Sequence, residues 1–303
     1  MAIQYIPYQR IDKLKWDACI DAAANGLIYG SSLYLDTMSK NWDALILDDY
    51  RAVMPLTFKR KYGIYYLYQP FFTACLGVFG NNLTSDLVEE FLKAIPQKFK
   101  YWDIYLNHGN YLPLKSFEPY ERINYILDLN KPYELIYAGY RDNIKRNIKK
   151  SDQLKCSITK NIDIDNVISL AQEQSKSFSP VTIEDFQHFK SLYQKLVTTQ
   201  QAMTYGVYTS ANQLVASCVL FLSHKRLYYI MVGNHPNGRT IGASHALVNA
   251  FIEDYAGQNL VLDFEGSDIR NLAFFYSSFG ARVEKYVGLK LNRLPKMLQL
   301  IKK

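Results

Sequence analysis

Residues 226–291 read RLYYIMVGNHPNGRTIGASHALVNAFIEDYAGQNLVLDFEGSDIRNLAFFYSSFGARVEKYVGLKL, and this stretch decides the fold. Leu227–Val232 is aromatic and β-branched, the composition of a strand. Gly233–Gly238 mixes Gly, Asn and Pro, the chemistry of a turn. A helix is expected to open at Arg239-Thr240-Ile241-Gly242-Ala243-Ser244. Its apolar residues Ile241, Ala243, Ala246, Leu247, Ala250, Phe251 and Tyr255 recur at helical spacing, and Gly257 stops it. A strand over Leu260–Glu265, a helix from Ile269 to Ser278 and a strand over Arg282–Leu291 complete the order strand, helix, strand, helix, strand.

The turn into the first helix is basic and contains glycine. Helix N-termini present unpaired N–H groups and the positive end of the dipole, which suits phosphate. Arg239 adds a charge, and Gly242 allows close backbone approach.

Here the sequence resembles the GNAT acyltransferases, whose pyrophosphate loop has the pattern Gln/Arg-x-x-Gly-x-Gly/Ala. Arg239 and Gly242 match it, and Ser244 stands where Gly or Ala is usual. FEGSDIRNLAFFYSSFG, Phe264–Gly280, resembles the corresponding stretch of the two-domain Fem-like members, the FemAB and BioF2-like branch. The resemblance implies that Arg239, Thr240, Ile241, Gly242, Ala243 and Ser244 hold the pyrophosphate of an acyl-CoA, acetyl-CoA or another. It implies that Met231, Val232 and Gly233 offer backbone partners to the pantetheine arm. It also places Tyr276, four residues before Gly280, where many GNAT enzymes keep a tyrosine general acid.

Working outward, Met203–Tyr208, Leu214–Ser223 and Leu227–Val232 form a three-strand meander, preceded by helices over Ile164–Ser177 and Ile183–Thr198. A second meander lies earlier: Ala44–Leu47, Arg51–Lys59 and Ile64–Phe72, turning at Asp48-Asp49 and at Lys61-Tyr62-Gly63. ALILDDYRAVMPLTFKRKYGIYYLYQP can be laid beside GVYTSANQLVASCVLFLSHKRLYYIMVG with strand lengths and turns in step, which reads as an internal repeat. The expected architecture is α/β: tandem GNAT-like domains over 1–118 and 119–303, each a mixed, mostly antiparallel sheet flanked by helices.

The remaining elements fit that frame. A strand is expected over residues 2–10, then a helix over Asp12–Ala23 with Leu14, Ala18 and Ala22 on one stripe. A helix over Ser85–Ile95 starts with Asp86, Glu89 and Glu90, which suit the dipole but repel phosphate, so only the second domain is expected to hold the donor. Strands are expected at Tyr101–Leu106 and Arg122–Leu129, and a long basic helix over Pro132–Gln153.

Other residues carry two readings each. Asp263 and Glu265 alternate along a strand and share a face; they bind or deprotonate an amine, or are a solvated strand end. Tyr276 is a general acid, or core packing among Phe274, Phe275 and Phe279. Arg141, Lys145 and Lys149 form a line by four-residue steps, with Arg146 and Lys150 beside them; they attract an anionic substrate, or are a solvated helix face.

Composition narrows the classes. At 303 residues, 49% apolar and 21% charged, the chain has room for two ordinary soluble domains. A net charge of +7 fits an anionic ligand and falls short of a dedicated DNA binder. Cys19, Cys75, Cys156 and Cys218 stand alone, which points to a reducing compartment and no metal. The uncharged run Tyr62–Ser85 breaks into strand-sized pieces, so no membrane span and a cytoplasmic location are expected. GASHA at 242–246 lacks the second glycine of a nucleophile elbow, and no histidine follows His245, which excludes an α/β-hydrolase.

The expected reaction is therefore acyl transfer from acyl-CoA to a small or peptide-like amine, with Glu265 as base and Tyr276 as acid. The alternatives are an aminoacyl-tRNA-dependent Fem-type transferase acting on cell-wall precursors and a non-catalytic binding protein. The basic helix and the net charge speak for a tRNA partner, and the lack of a long heptad stretch speaks against one.

Overall fold

The computed structural model describes residues 2–176, 180–266 and 268–295. They fall into two compact units, residues up to Arg122 with those from Lys285 onward, and Ile123–Glu284.

In the first unit β1 (Ile3–Ile6) leads to α1 (Lys13–Ala22) and α2 (Ser32–Met38). The meander β2 (Trp42–Leu47), β3 (Ala52–Lys61) and β4 (Ile64–Tyr68) follows, and the short β5 (Phe79–Gly80) pairs with β3. Its turns are the expected ones: Asp48 and Tyr50, then Tyr62 and Gly63, take positive φ. After α3 (Ser85–Ala94), β6 (Phe99–Leu106) returns parallel to β4.

The Asp12 carboxylate caps α1 by accepting from the amides of Leu14 and Lys15. The buried stripe of that helix is Trp16 and Ile20, while Leu14 is 86% exposed. The stripe expected at Leu14, Ala18 and Ala22 is corrected accordingly. An indole buries far more apolar surface than two alanines, and the Trp16 ring nitrogen finds the Gly30 carbonyl at 2.7 Å. In α3, Thr84 is the cap and Asp86 lies in the first turn. Glu89 accepts from the Ser116 amide and hydroxyl and from Lys93, which hold its carboxyl down to about 2.

The second unit contains β7 (Tyr120–Asp128) from Ile123 on, α4 (Tyr133–Ala138) and α5 (Asp142–Gln153). The single helix expected over 132–153 is thus two, broken at Gly139–Arg141. Next come β8 (Ser157–Lys160), α6 (Ile164–Ser175), α7 (Ile183–Val197) and the meander β9 (Ala202–Tyr208), β10 (Leu214–Ser223) and β11 (Arg226–Asn234). Ser177, the expected end of α6, lies outside the described residues. The unit closes with α8 (Pro236–Thr240), α9 (Ala243–Tyr255), β12 (Val261–Asp263) and α10 (Arg270–Ser277). Its sheet runs β7-β12-β11-β10-β9-β8, parallel only at β11–β12.

Both units therefore carry an antiparallel meander, a helical crossover and a strand parallel to the meander's last member. The last strand, β13 (Arg282–Asn292), pairs antiparallel with β6 from Val287 to Asn292 and so completes the first unit's sheet. Each unit has its own core. Met54, Leu67, Phe91, Phe99, Trp102 and Leu289 anchor the first, and Val207, Leu227, Leu247, Phe251, Leu262 and Phe279 the second.

Candidate active site

The site begins where two parallel strands part. β11 and β12 pair through Arg226–Val261, Leu227–Leu262 and Tyr228–Asp263, and there the pairing stops, although β11 runs on to Asn234. On its other edge β11 stays on β10, with a register shift that leaves Ile230 as an extra residue between the Tyr229 and Met231 pairs. A bulge of this kind bends and twists its strand. The opening is a cavity of about 340 Å³.

Tyr229, Val232 and Asn234 of β11 form one wall of it, and Leu272, Phe275 and Tyr276 of α10 form another. Arg239, Ser244 and His245 reach it from the helices after β11, and Gln174 from α6. The polar rim is tied together: the Ser244 hydroxyl donates to the Asn234 side-chain oxygen at 2.6 Å, and the Asn234 amide donates to Gln174 at 2.6 Å. Ser244 thus links the first turn of α9 to the end of β11, which Gly or Ala at that position does not do.

The helix expected to open at Arg239 opens later. Pro236–Thr240 is a separate turn of helix, Gly242 sits at φ 76°, and α9 starts at Ala243. Arg239 lies in the last turn of α8, exposed and on the cavity rim. Thr240 is exposed and donates its hydroxyl to the Asn237 carbonyl at 3.0 Å. Ile241 packs on the core and Ala243 is fully buried, so only their backbone is available to a ligand. Gly242 serves a packing contact: a Cβ there would stand 2.3 Å from the Asn147 carbonyl oxygen of α5. Gly233 is likewise required by α6, since its Cβ would meet the Ala171 nitrogen at 2.8 Å. The Met231 side chain is in the core, and Val232 lines the cavity.

Asp263 requires a correction. It is buried, pairs with Arg226 at 2.8 Å, and accepts from the Asn124 amide at 2.8 Å and the Glu265 backbone at 2.9 Å. Arg226 also grips Glu284 through two nitrogens, at 2.8 and 2.9 Å. Both Asp263 oxygens are engaged, so this carboxylate anchors the sheet and is not free to take a substrate amine. Nor do Asp263 and Glu265 share a strand face, because β12 ends at Asp263 and Glu265 turns out of it with φ 65°. Glu265 is half-buried, and its charge reaches the Tyr276 phenol.

Tyr276 combines its two readings. Its ring stacks on Phe264 at 4.6 Å and is buried, yet it lines the cavity. Burial first and Glu265 second raise its phenol above the ordinary value, so it keeps its proton at neutral pH. His245, to which the sequence assigned no role, lies beside it. Its ring meets Phe275 edge-on at 5.1 Å, and burial pushes the imidazole down to about 4, which leaves it neutral. The one signal for it in the sequence is a histidine in the first turn of a helix that follows a glycine loop.

Arg141 and Lys145 do not reach this cavity wall. The Arg141 guanidinium lies 5.0 Å over the Phe274 ring, and Lys145 donates to the Ala138 carbonyl at 3.2 Å. Among the described residues no group of three or more His, Cys, Asp or Glu is arranged to hold a metal.

Residues 138–270 match the sequence model of a family described as an acetyltransferase (GNAT) domain. The match covers less than half of the chain. The fold of the whole chain is shared with solved structures. FemX is similar over 100% of both chains, with a TM-score of 0.66 at 12% identity. The L-PGS from Bacillus licheniformis is similar over 96% of this chain and 95% of its own, with a TM-score of 0.56 at 10% identity. A tandem GNAT protein from the clavulanic acid biosynthesis pathway is similar over 97% and 100%, with a TM-score of 0.55 at 10% identity. No curated protein sequence matches the chain. Among the described residues no helix is long and apolar enough to cross a membrane. The matched residues include the parted strands β11 and β12 and the polar rim of Gln174, Asn234 and Ser244, while Leu272, Phe275 and Tyr276 of α10 follow their end at residue 270.

Proposed function

We propose that the chain is an N-acyltransferase that moves an acyl group from an acyl-CoA thioester to an amine, with the donor in the second unit. The observation that carries this is the opening between β11 and β12, whose rim holds Arg239 and Ser244 and whose wall holds Tyr276 and His245. The free edge of β11 offers backbone amides and carbonyls to an extended, amide-bearing ligand. Arg239 and the N-terminal turn of α9 supply positive charge at the rim for its phosphates. In the first unit, the matching crossover helix α3 begins with Asp86, which disfavours phosphate, and that unit is assigned to the acceptor.

In the reaction the amine nitrogen bonds to the acyl carbon as the carbon–sulfur bond breaks. Glu265, through water, takes the amine proton, and Tyr276 returns one to the departing thiolate. Holding both reactants in line supplies much of the acceleration. Calorimetric titration with coenzyme A and acetyl-CoA tests the donor site. Micromolar binding that is lost in Arg239→Glu supports it; absence of binding to the folded wild type overturns it.

A second reading is favoured by α5. Arg146, Lys149 and Lys150 are exposed on a helix whose backbone touches the loop before α9. An aminoacyl-tRNA donor would use them, and its binding would weaken steeply with salt. Donor binding without turnover on a panel of amines would instead mark a non-catalytic binding protein.

A further inference from the structure

On another face of α9 lies a second cavity in the same unit, of about 360 Å³, between α4, α5 and β8. Its contribution from α9 is Ala246, Asn249, Ala250 and Glu253, residues one turn apart, whereas Ser244 and His245 face the donor cavity. The floor is apolar, Ile148, Ala246 and Ala250, and the exposed Ile158 of β8 also lines the cavity. Two half-buried rings, Tyr133 and Tyr137, stand 5.7 Å apart beside it. The rim carries two exposed carboxylates, Asp152 and Glu253.

On a chain of net charge +7, no lysine or arginine is among the described residues that line this cavity. The neighbouring Asp254 is already paired with Lys160 at 2.6 Å and accepts from Tyr205. Lys145 lies 5.5 Å from the Tyr137 ring but is tethered to the Ala138 carbonyl outside the cavity.

A buried hydroxyl lies behind one of these rings. Tyr140 is 3% exposed, and its hydroxyl has no hydrogen-bond partner among the described residues. Its ring packs on that of Tyr137, which lines the cavity, at 5.2 Å.

We propose that this cavity binds a small aliphatic amine, its methylenes on the isoleucine and alanine floor and its ammonium between the tyrosine rings and the carboxylates. Rings and carboxylates both favour a cation: the ring faces through their quadrupole, and the carboxylates through charge-assisted hydrogen bonds. The site is separate from the donor cavity and does not depend on the reaction proposed above.

The test is calorimetric titration of the full chain with 1,5-diaminopentane, beside its neutral counterpart 1,5-pentanediol. One diamine is expected to bind per chain, with no heat from the diol. Asp152→Asn, Glu253→Gln and Tyr137→Leu are each expected to weaken it about fivefold, and Asp254→Asn to leave it unchanged. Unfolding midpoints of the variants show that the fold is kept. An N-acetyl-lysine amide with a free side-chain amine, titrated in parallel, shows whether the site takes a free diamine or a lysine side chain. No diamine binding below about 10 mM overturns the proposal. So does equal binding of the diol, or equal affinity in the Asp152, Glu253 and Tyr137 variants.

Discussion

Replacing Gly242 by alanine separates two reasons for a glycine at the start of α9. If it is there so that a ligand can approach, the substitution should spare stability and harm binding. The structure gives another reason. Gly242 has φ 76°, which costs an L-residue roughly 1–2 kcal/mol. The new Cβ would also stand 2.3 Å from the Asn147 oxygen and 3.0 Å from its carbonyl carbon. These are backbone atoms in the middle of α5, so relief requires the helix to shift, an overpacking cost of about 1–3 kcal/mol. The expected total is about 2–5 kcal/mol. Gly257 supplies the control at the other end of α9: φ is 80°, and a Cβ there meets nothing within 4 Å. Gly257→Ala should therefore lose only the conformational part, about 1–2 kcal/mol. The assay is urea unfolding followed by far-ultraviolet circular dichroism. Tryptophan emission would report on the wrong unit, because Trp16, Trp42 and Trp102 all lie in the first. Equal losses in the two variants would refute the reasoning, since the contact with α5 would then contribute nothing.

Arg226→Met leaves Asp263 and Glu284 without their shared cation and should cost about 3–5 kcal/mol in the same unfolding experiment. The His245 imidazole is held near 4 against an unfolded value of about 6.5, so the unfolded chain binds more protons between those values. That contribution is complete above about pH 6.5, is lost as pH falls toward 4, and amounts to at most about 3 kcal/mol; His245→Leu should flatten this part of the stability–pH curve. Tyr276→Phe keeps the stacking on Phe264 and removes the proton donor, so kcat should fall about 10²-fold while the dissociation constant of coenzyme A stays within a factor of two. A Tyr276→Phe enzyme with full kcat would restrict that ring to packing.

The fold was legible because its signals are local and repeated. Alternating aromatic and β-branched residues marked both meanders, and the turns at Asp48 and Gly63 need the backbone conformations those residues tolerate. What escaped depended on tertiary partners. Nothing local in Leu14 or Trp16 states which face of α1 turns inward. Gly139 reads as one glycine within a helical pattern, though it separates α4 from α5. β8 is four exposed residues that acquire strand geometry by pairing with β9. Asp263 looked available because Arg226 and Glu284 lie 37 and 58 residues apart from their partners in the same cluster, a separation that no periodicity can register. His245 was passed over because a single histidine carries no spacing, and only the parting of β11 from β12 gives it a cavity to face.

The pairing of β13 with β6 has a consequence for how the chain matures. During synthesis, Ile123–Glu284 can complete its own sheet and core once residue 284 has cleared the ribosome. The unit made first must wait for a strand that arrives more than 160 residues after Arg122. Until then β6 has an open edge, the kind of surface that invites wrong partners. The usual order, with the N-terminal unit folding first, is thereby reversed. A chain halted shortly before Lys285 should yield a protease-resistant second unit attached to a protease-sensitive first one.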